Sequence, residues 1–366
     1  MFALVFLSVV LGFQIVYWLV LWWGFSKQQR ARLLTELPPV SVVVCAHDEE
    51  QNLRELVPLL LQQDHPNFEV IVVDDRSNDG TYDFLLEATR ADKRLRMVRV
   101  TNTPPHIHGK KFAITLAVKA ATHDWLVLTD ADCRPATHAW VRHLSAHMAN
   151  EKKIVIGFSP YQRTTGLLNA FIRFETLITA MQYIGFALLG RPYMGVGRNL
   201  AYRKSLFLET KGFNDYLGVV GGDDDLFVNA HANSNNTAVA LGPSLLVYSR
   251  PKTSVRSFLY QKFRHLSVGK RYRFSDRLLL GGFSLTWILT WLVVAPVWWW
   301  TNQFLFIVVL FFVRWAVQQA ALWEATRKLG EPFEGWKVPL LDFIYAFYYL
   351  VAGLVAVLSK KVRWRI

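Results

Sequence analysis

Cysteine is almost missing: Cys45 and Cys133 are the two in 366 residues. That is too few for a disulfide scaffold, so a reducing compartment is the simplest setting. Charge is scarce as well, at 19% of residues, and there is no internal repeat or low-complexity tract. A disordered or fibrous chain is excluded, and so is an ordinary soluble enzyme. Apolar residues make up 52% of the chain and mean hydropathy is +0.19. The 14 Trp and 25 Phe point towards lipid and its interfaces.

Met1 to Trp23 contains no charged residue, and about 20 apolar residues suffice to span a bilayer as a helix. A cleavable signal peptide would have a shorter apolar core and a small-residue cleavage site. Trp22-Trp23-Gly24-Phe25 stands there instead, which favours a retained anchor. Lys27, Arg30 and Arg32 follow, and the positive-inside tendency puts the next segment in the cytoplasm. Apolar runs return at Leu278–Thr301, Phe304–Trp323 (interrupted by Arg314) and Val338–Ser359 (interrupted by Asp342). Three C-terminal spans are the natural count. Four spans in all, however, carry the basic tail Lys360, Lys361, Arg363 and Arg365 to the outer face, against the same tendency. One C-terminal segment that is re-entrant or lies along the interface resolves the conflict, and the Arg314–Gln318–Gln319 face singles out the third span as the weakest.

The middle reads as alternating strands and helices. Val40–Ala46, Phe68–Val73, Arg96–Val100 and Trp125–Thr129 are short apolar runs, separated by helical patterns around Leu53–Leu60, Tyr82–Ala91 and Lys110–Ala121. Near-continuous apolar strands in such alternation imply a mostly parallel sheet with helices on both faces. Ligands of such sheets bind beyond the carboxyl ends of the strands. Asp74-Asp75 and Asp130-Ala131-Asp132 stand at those ends. Two carboxylates flanking one small residue can hold a hard divalent cation, with phosphate oxygens completing its shell; the plainer reading is a polar turn with a helix cap near Pro135. In Asp74–Thr81, Asp79-Gly80 supplies turn chemistry and Ser77 to Thr81 can cap the next helix. Gly221-Gly222-Asp223-Asp224-Asp225 packs three acids whose mutual repulsion raises a pKa, which suits a general base. Between Lys252 and Arg277, eight Lys/Arg face one Asp among aromatics. A basic stretch next to an apolar run suits lipid headgroups or a diphosphate, and not nucleic acid.

Seven segments in order over about Val40 to Tyr272 resemble the membrane-bound family 2 glycosyltransferases, inverting enzymes of GT-A fold. They are Val42–Glu49, Val72–Thr81, Gly109-Lys110-Lys111-Phe112-Ala113, Thr129–Asp132, Gly197–Arg203, Asp223–Leu226 and Gln261-x-x-Arg264. The resemblance implies a nucleotide-diphospho-sugar transferase domain, Rossmann-like with a mostly parallel sheet, over 38–250. A terminal anchor (1–23), a basic interface segment (251–277), an apolar region (278–359) and a basic tail (360–366) would flank it. Asp75 would bind the nucleotide's base, with Ala46, His47 and Glu49 lining that pocket. Lys110 or Lys111 would hold the nucleotide, Asp130 would approach ribose and metal, and Asp132 would ligate Mg²⁺ or Mn²⁺. Asp223 or Asp224, with Asp223 slightly favoured, would take a proton from the acceptor. Asn199, Gln261, Arg264 and His265 would meet acceptor or diphosphate.

Two departures from the family pattern bear on function. Gly222-Asp223-Asp224-Asp225 replaces the usual Glu-Asp, and His265 replaces a tryptophan that stacks on an acceptor sugar, which argues against processive chain extension. The expected protein is an integral membrane enzyme of a bacterial inner membrane with its domain in the cytoplasm. It would move a sugar, by the resemblance from a UDP-sugar, to a lipid or lipid-linked acceptor. A processive polysaccharide synthase and a non-catalytic sugar-nucleotide-binding scaffold are the alternatives. No protein partner is legible.

Overall fold

The computed structural model describes residues 2–27, 34 and 36–358; Arg30, Arg32 and the basic tail lie outside them. Elements are numbered in chain order. The chain forms two compact units, residues 30–163 with 190–251, and residues 1–29 with 164–189 and 252–366. The globular unit is therefore discontinuous, whereas the sequence suggested one run over 38–250. The excised piece is a long apolar helix (Leu167–Leu188) that packs on the N-terminal helix, where Gly24 and Gly185 let the backbones approach closely.

In the globular unit the order is β1 (Val40–Ala46), α2 (Glu50–Leu61), β2 (Phe68–Asp75), α3 (Thr81–Ala91), β3 (Leu95–Val100), α4 (Gly109–Ala120) and β4 (Trp125–Asp130). Then follow β5 (Cys133–Pro135), α5 (Trp140–Ser145), β6 (Ile154–Ile156), β7 (Leu200–Arg203), α7 (Lys204–Glu209), α8 (Asp225–His231), β8 (Thr237–Val239) and β9 (Val247–Ser249). Seven strands form one sheet in the order β3-β2-β1-β4-β7-β6-β8, and β5 pairs with β9 apart from it. β3, β2, β1 and β4 run parallel; β7 is antiparallel to both β4 and β6. The parallel strands are Val- and Ile-rich because both faces are covered, and β2 is buried at every position. Register aligns Ala46 with Asp74 and Cys45 with Asp130, so the acidic strand ends meet at one edge.

The second unit holds α1 (Phe2–Ser26), α6 (Leu167–Leu188), α9 (Val255–Gly269), α10 (Phe274–Thr301), α11 (Phe304–Leu329) and α12 (Val338–Leu358). Four stretches, in α1, α10, α11 and Gly335–Val355, are long and apolar enough to cross a membrane. The two charges that interrupt the apolar runs are paired inside the unit: Arg314 meets Asp342 at 3.0 Å with each side chain 2% exposed. On α6, Glu175 pairs with Lys262 and Arg173 with Glu334.

Candidate active site

The sheet edge is built by three turns. After β1 and β2 the chain enters the left-handed region at Asp48 (φ 55°) and Arg76 (φ 59°), non-glycine positions where this conformation is uncommon. The turns are tied together: Asp48 N–H donates to Ser77 Oγ at 3.0 Å, Asn78 N–H to Asp48 Oδ1 at 2.6 Å, and Ser77 N–H to Asp74 Oδ1 at 3.1 Å. Ser77 thus ties β1 to β2 and does not cap α3, as the sequence had suggested; Asp79 Oδ1 accepts from Thr81 N–H at that corner. Asp75 is buried and held by the Arg76 guanidinium at 2.8 Å. Helix α4 approaches so closely that a Cβ on Gly109 would lie 2.7 Å from Asp75 Oδ2. A side chain there would have to displace the Asp75 carboxylate and the Arg76 guanidinium.

That approach places Lys110. Its ammonium is 2.8 Å from Asp130 Oδ1 and 3.3 Å from Asp223 Oδ2. One amine therefore joins the end of β4 to the acidic loop before α8. Burial works against its charge, but Asp130, Asp223 and Asp224 more than offset this, and its pKa stands well above the usual lysine value. Gly221 and Gly222 both have φ near +80°, which turns the acidic loop back on itself as only glycine does readily. Asp223 faces Lys110, while Asp224 accepts the backbone N–H groups of Gly197 at 2.7 Å and Asp225 at 2.8 Å. Burial raises both carboxyl pKa values. Lys110 and Lys111 overcome it at Asp223 and hold that group below the ordinary aspartate value, whereas the neighbouring Asp223 charge adds to it at Asp224. Burial pushes the nearby Cys45 thiol up to about 12, which leaves it neutral and a poor nucleophile.

The other anticipated residues divide into three groups. Ala46 is buried at the end of β1, His47 is exposed with its Nδ1 2.6 Å from the Asp75 carbonyl, and Glu49 donates its N–H to Thr81 Oγ1 while Oε2 accepts from Asn52. These three sit beside Asp75, at the rim. Lys111 and Asn199 have other duties. Lys111 is fully buried and donates to the Val219 and Gly221 carbonyls, bracing the acidic loop from behind. Asn199 is also fully buried; it donates to the Phe158 and Leu245 carbonyls and accepts from Trp140 Nε1. It braces the sheet from inside the fold, with its side chain bonded to protein groups rather than displayed at the edge. Gln261, Arg264 and His265 lie on α9 of the second unit, with Arg264 Nη2 3.4 Å from His265 Nε2.

Asp130 and Asp132 are both partly exposed and flank Ala131, which is buried. Two partly exposed carboxylates so spaced fit a hard cation that shares its shell with phosphate oxygens. Among the described residues no group of three or more His, Cys, Asp or Glu side chains is placed to hold a metal ion.

Two arginines without a role in the sequence reading belong to this edge. Arg134 donates to the carbonyls of Ala131 and Cys133 and reaches Glu55 at 2.9 Å, fixing the turn that carries Asp132. Arg198 lies 4.5 Å over the Tyr161 ring and donates to the Ser159 carbonyl; Tyr161 bridges to Ser249, the partner of Cys133. Burial opposes its charge, and Tyr161, Cys133, Asp130 and Asp132 more than compensate. Arg198 is the one charged residue of Gly197-Arg198-Asn199, which was the signal that could have found it.

Residues 41–210 match the model of the family described as Glycosyl transferase family 2. A probable glycosyltransferase of Bacillus subtilis, YdaM, is 30% identical over 192 residues, covering 50% of this chain and 44% of that protein. A putative teichuronic acid biosynthesis glycosyltransferase of the same organism, TuaG, is 30% identical over 95 residues, covering 26% of this chain and 36% of that one. The chain thus spans less than half the length of these curated relatives. A mannosyltransferase from Pyrobaculum calidifontis, solved in complex with GDP-Man and Mn²⁺, superposes with a TM-score of 0.66 at 16% identity, over 98% of this chain and 99% of that one. The fold is GT-A-like.

Proposed function

We propose, for a chain that carries a family 2 glycosyltransferase domain, that it transfers a sugar from a nucleoside-diphosphate donor to a lipid or lipid-linked acceptor, with inversion at the anomeric carbon. The observation that carries this reading is the reach of Lys110 to both Asp130 and Asp223. It brings the carboxylate suited to the donor's ribose and metal within one side chain of the carboxylate suited to the acceptor.

Asp75 and the rim of Ala46, His47 and Glu49 bind the base. Asp130 and Asp132 hold Mg²⁺ or Mn²⁺, which when bound neutralises charge on the leaving diphosphate. Lys110 supplies a second positive charge to the same phosphates. When the diphosphate draws Lys110 away, Asp223 loses the cation that keeps its proton affinity low, and it becomes a stronger base as the acceptor hydroxyl arrives. Asp224, anchored by Gly197 and Asp225, fixes the loop. Residues 2–26 and 274–355 suit a membrane protein, and a lipid acceptor follows from that setting. Uridine is the expected base of the donor, with guanosine second because the Pyrobaculum calidifontis mannosyltransferase was solved with GDP-Man.

The test incubates the full chain in detergent with Mn²⁺ and a panel of UDP- and GDP-sugars, following nucleoside diphosphate release with and without membrane lipid extract. Lipid-dependent release from one donor is expected, reduced about 10³-fold by Asp132→Ala, which corresponds to losing several kcal/mol of metal-derived charge stabilisation. Donor binding without turnover across a broad acceptor panel would replace this reading with a scaffold. Release of long polymer would replace it with a synthase.

A further inference from the structure

The stretch Gly335–Val355 is long and apolar enough to cross a membrane, yet from Asp342 onward its neighbours change in the wrong order for a crossing. The other helices provide a depth scale. At the α10–α11 turn, Leu7 and Leu11 cluster with Val297 and Ile307. Moving away from that turn, Trp291 meets Phe311, then Trp287 meets Arg314, then Phe283 stacks on Tyr17 at 3.9 Å. So α1 and α11 run one way and α10 the other, and α10 begins at the end of the bundle remote from Asn302.

Against this scale α12 starts part-way through the bundle. The Gly335 carbonyl just before it accepts from Gln319, roughly 15 Å along α11 from that helix's end at the helical rise of 1.5 Å per residue. Asp342 takes hydrogen bonds from Arg314 and from Trp291 Nε1, and its carbonyl accepts from Trp287. From there the contacts move away from the Asn302 turn. Phe343 packs on Trp291 and Tyr345 on Trp287, and Tyr348 packs on Phe171 of α6 and Phe258 of α9. Helix α9 leads through residues 270–273 straight into the start of α10. A helix bound for the far face would instead move towards Val297 and Ile307.

Phe343, Phe347, Val351 and Leu354 form one exposed apolar stripe on α12, 40–55% accessible, at helical spacing. Lys270, Arg271, Arg273 and Arg277 at the head of α10 suit anionic headgroups on that side. We infer that α12 is embedded in a single leaflet, its Phe343–Leu354 stripe against the acyl chains, and that it returns the chain to the membrane face where α10 begins. The chain then makes three crossings, and the tail of Lys360, Lys361, Arg363 and Arg365 falls on the face that the positive-inside tendency prefers. The inference rests on the apolar helices being membrane-inserted, and the test separates the two.

Three single cysteines are added to the full chain: Lys93→Cys in the globular unit, Asn302→Cys at the α10–α11 turn, and one appended after Ile366. Each is labelled with a membrane-impermeant maleimide in sealed vesicles of known orientation, with the parent chain giving the background from Cys45 and Cys133. The appended cysteine is expected to react from the same face as Lys93→Cys, and Asn302→Cys from the opposite one. An appended cysteine that reacts with Asn302→Cys overturns the single-leaflet helix while leaving the membrane reading intact. If Asn302→Cys reacts from the Lys93 face, the membrane crossings themselves fail. Spin labels at Phe343 and Leu354 then check depth, with Phe343 more accessible to oxygen than to a water-soluble nickel chelate and Leu354 shallower; the reverse order overturns the proposal.

Discussion

Asp342 and Asp130 are both carboxylates beside a cation, and they differ in what their surroundings leave open. Asp342 is 2% exposed, and each oxygen has two donors: Arg314 and Gln318 on Oδ1, Arg314 and Trp291 on Oδ2. Nothing is left for a ligand. Asp130 is one-third exposed and meets Lys110, which is itself divided between Asp130 and Asp223. Burial with every lone pair satisfied marks a structural group, and a charge balance completed by one shared lysine marks a site that awaits further ligands. Proximity to a cation does not distinguish them; saturation does.

The sharpest way to break the comparison is at the open end. Asp223→Asn keeps the shape of the loop and removes the proposed base, so turnover should fall by about 10³-fold, within the usual range for general-base catalysis. Asp224→Asn should cost less, since its oxygens serve backbone N–H groups; a larger loss there would move the base to Asp224. Lys110→Met gives a second readout in the pH profile. With Lys110 present, Asp223 is held below the ordinary aspartate value, so the acid limb of kcat/KM lies at low pH. Without it, burial is opposed by Lys111 but no longer by the larger Lys110 contribution, and the limb should move to higher pH. An unmoved limb would separate Lys110 from the base.

At the closed end the expected effect is on stability. Arg314→Met leaves Asp342 buried without its cation, which should cost about 3–5 kcal/mol, as for other broken buried pairs. Pairing it with Asp342→Leu should restore most of that loss, because the residual donors then face no buried charge. Detergent-solubilised protein followed by thermal unfolding measures both, and a double variant no better than the single would mean that the pair itself, and not charge balance, holds the helices together.

How far the sequence carries follows the same division. The parallel strands were legible because continuous Val and Ile runs admit little else, and the acids at their ends because turn residues follow directly. Arg314 and Asp342 were each visible as a charge interrupting an apolar run, but their pairing depends on helix register across 28 positions, which composition does not encode. Lys111 and Asn199 lie in the same segments as Lys110 and Arg198, and sequence has no means of saying which of two neighbours faces the core. The discontinuous globular unit was hidden for a similar reason: α6 resembles a buried helix of either unit until its partners are known.

Glu69 tests whether saturation, and not residence in the apolar unit, makes a carboxylate structural. It opens β2 at the end of the sheet opposite Asp75 and is 7% exposed. Ser41 Oγ donates to it at 2.6 Å, Thr122 N–H at 2.6 Å and Arg96 at 2.8 Å. Burial pushes its pKa up, but these donors together outweigh burial and hold it below the ordinary value of 4.5. A carboxylate with a depressed folded pKa contributes stability that is present above its unfolded pKa and is lost as pH falls through the folded one. The parent should therefore lose this contribution as pH drops below 4.5. Glu69→Gln, which cannot titrate, should be destabilised by about 1–3 kcal/mol at neutral pH through the lost charged hydrogen bonds, and the gap to the parent should narrow in acid. Because Glu69 is far along the strands from the acidic edge, transferase turnover per folded molecule should be unchanged. A gap that persists at low pH would show that Glu69 acts through packing alone, and a turnover loss would show that the two ends of the sheet are coupled.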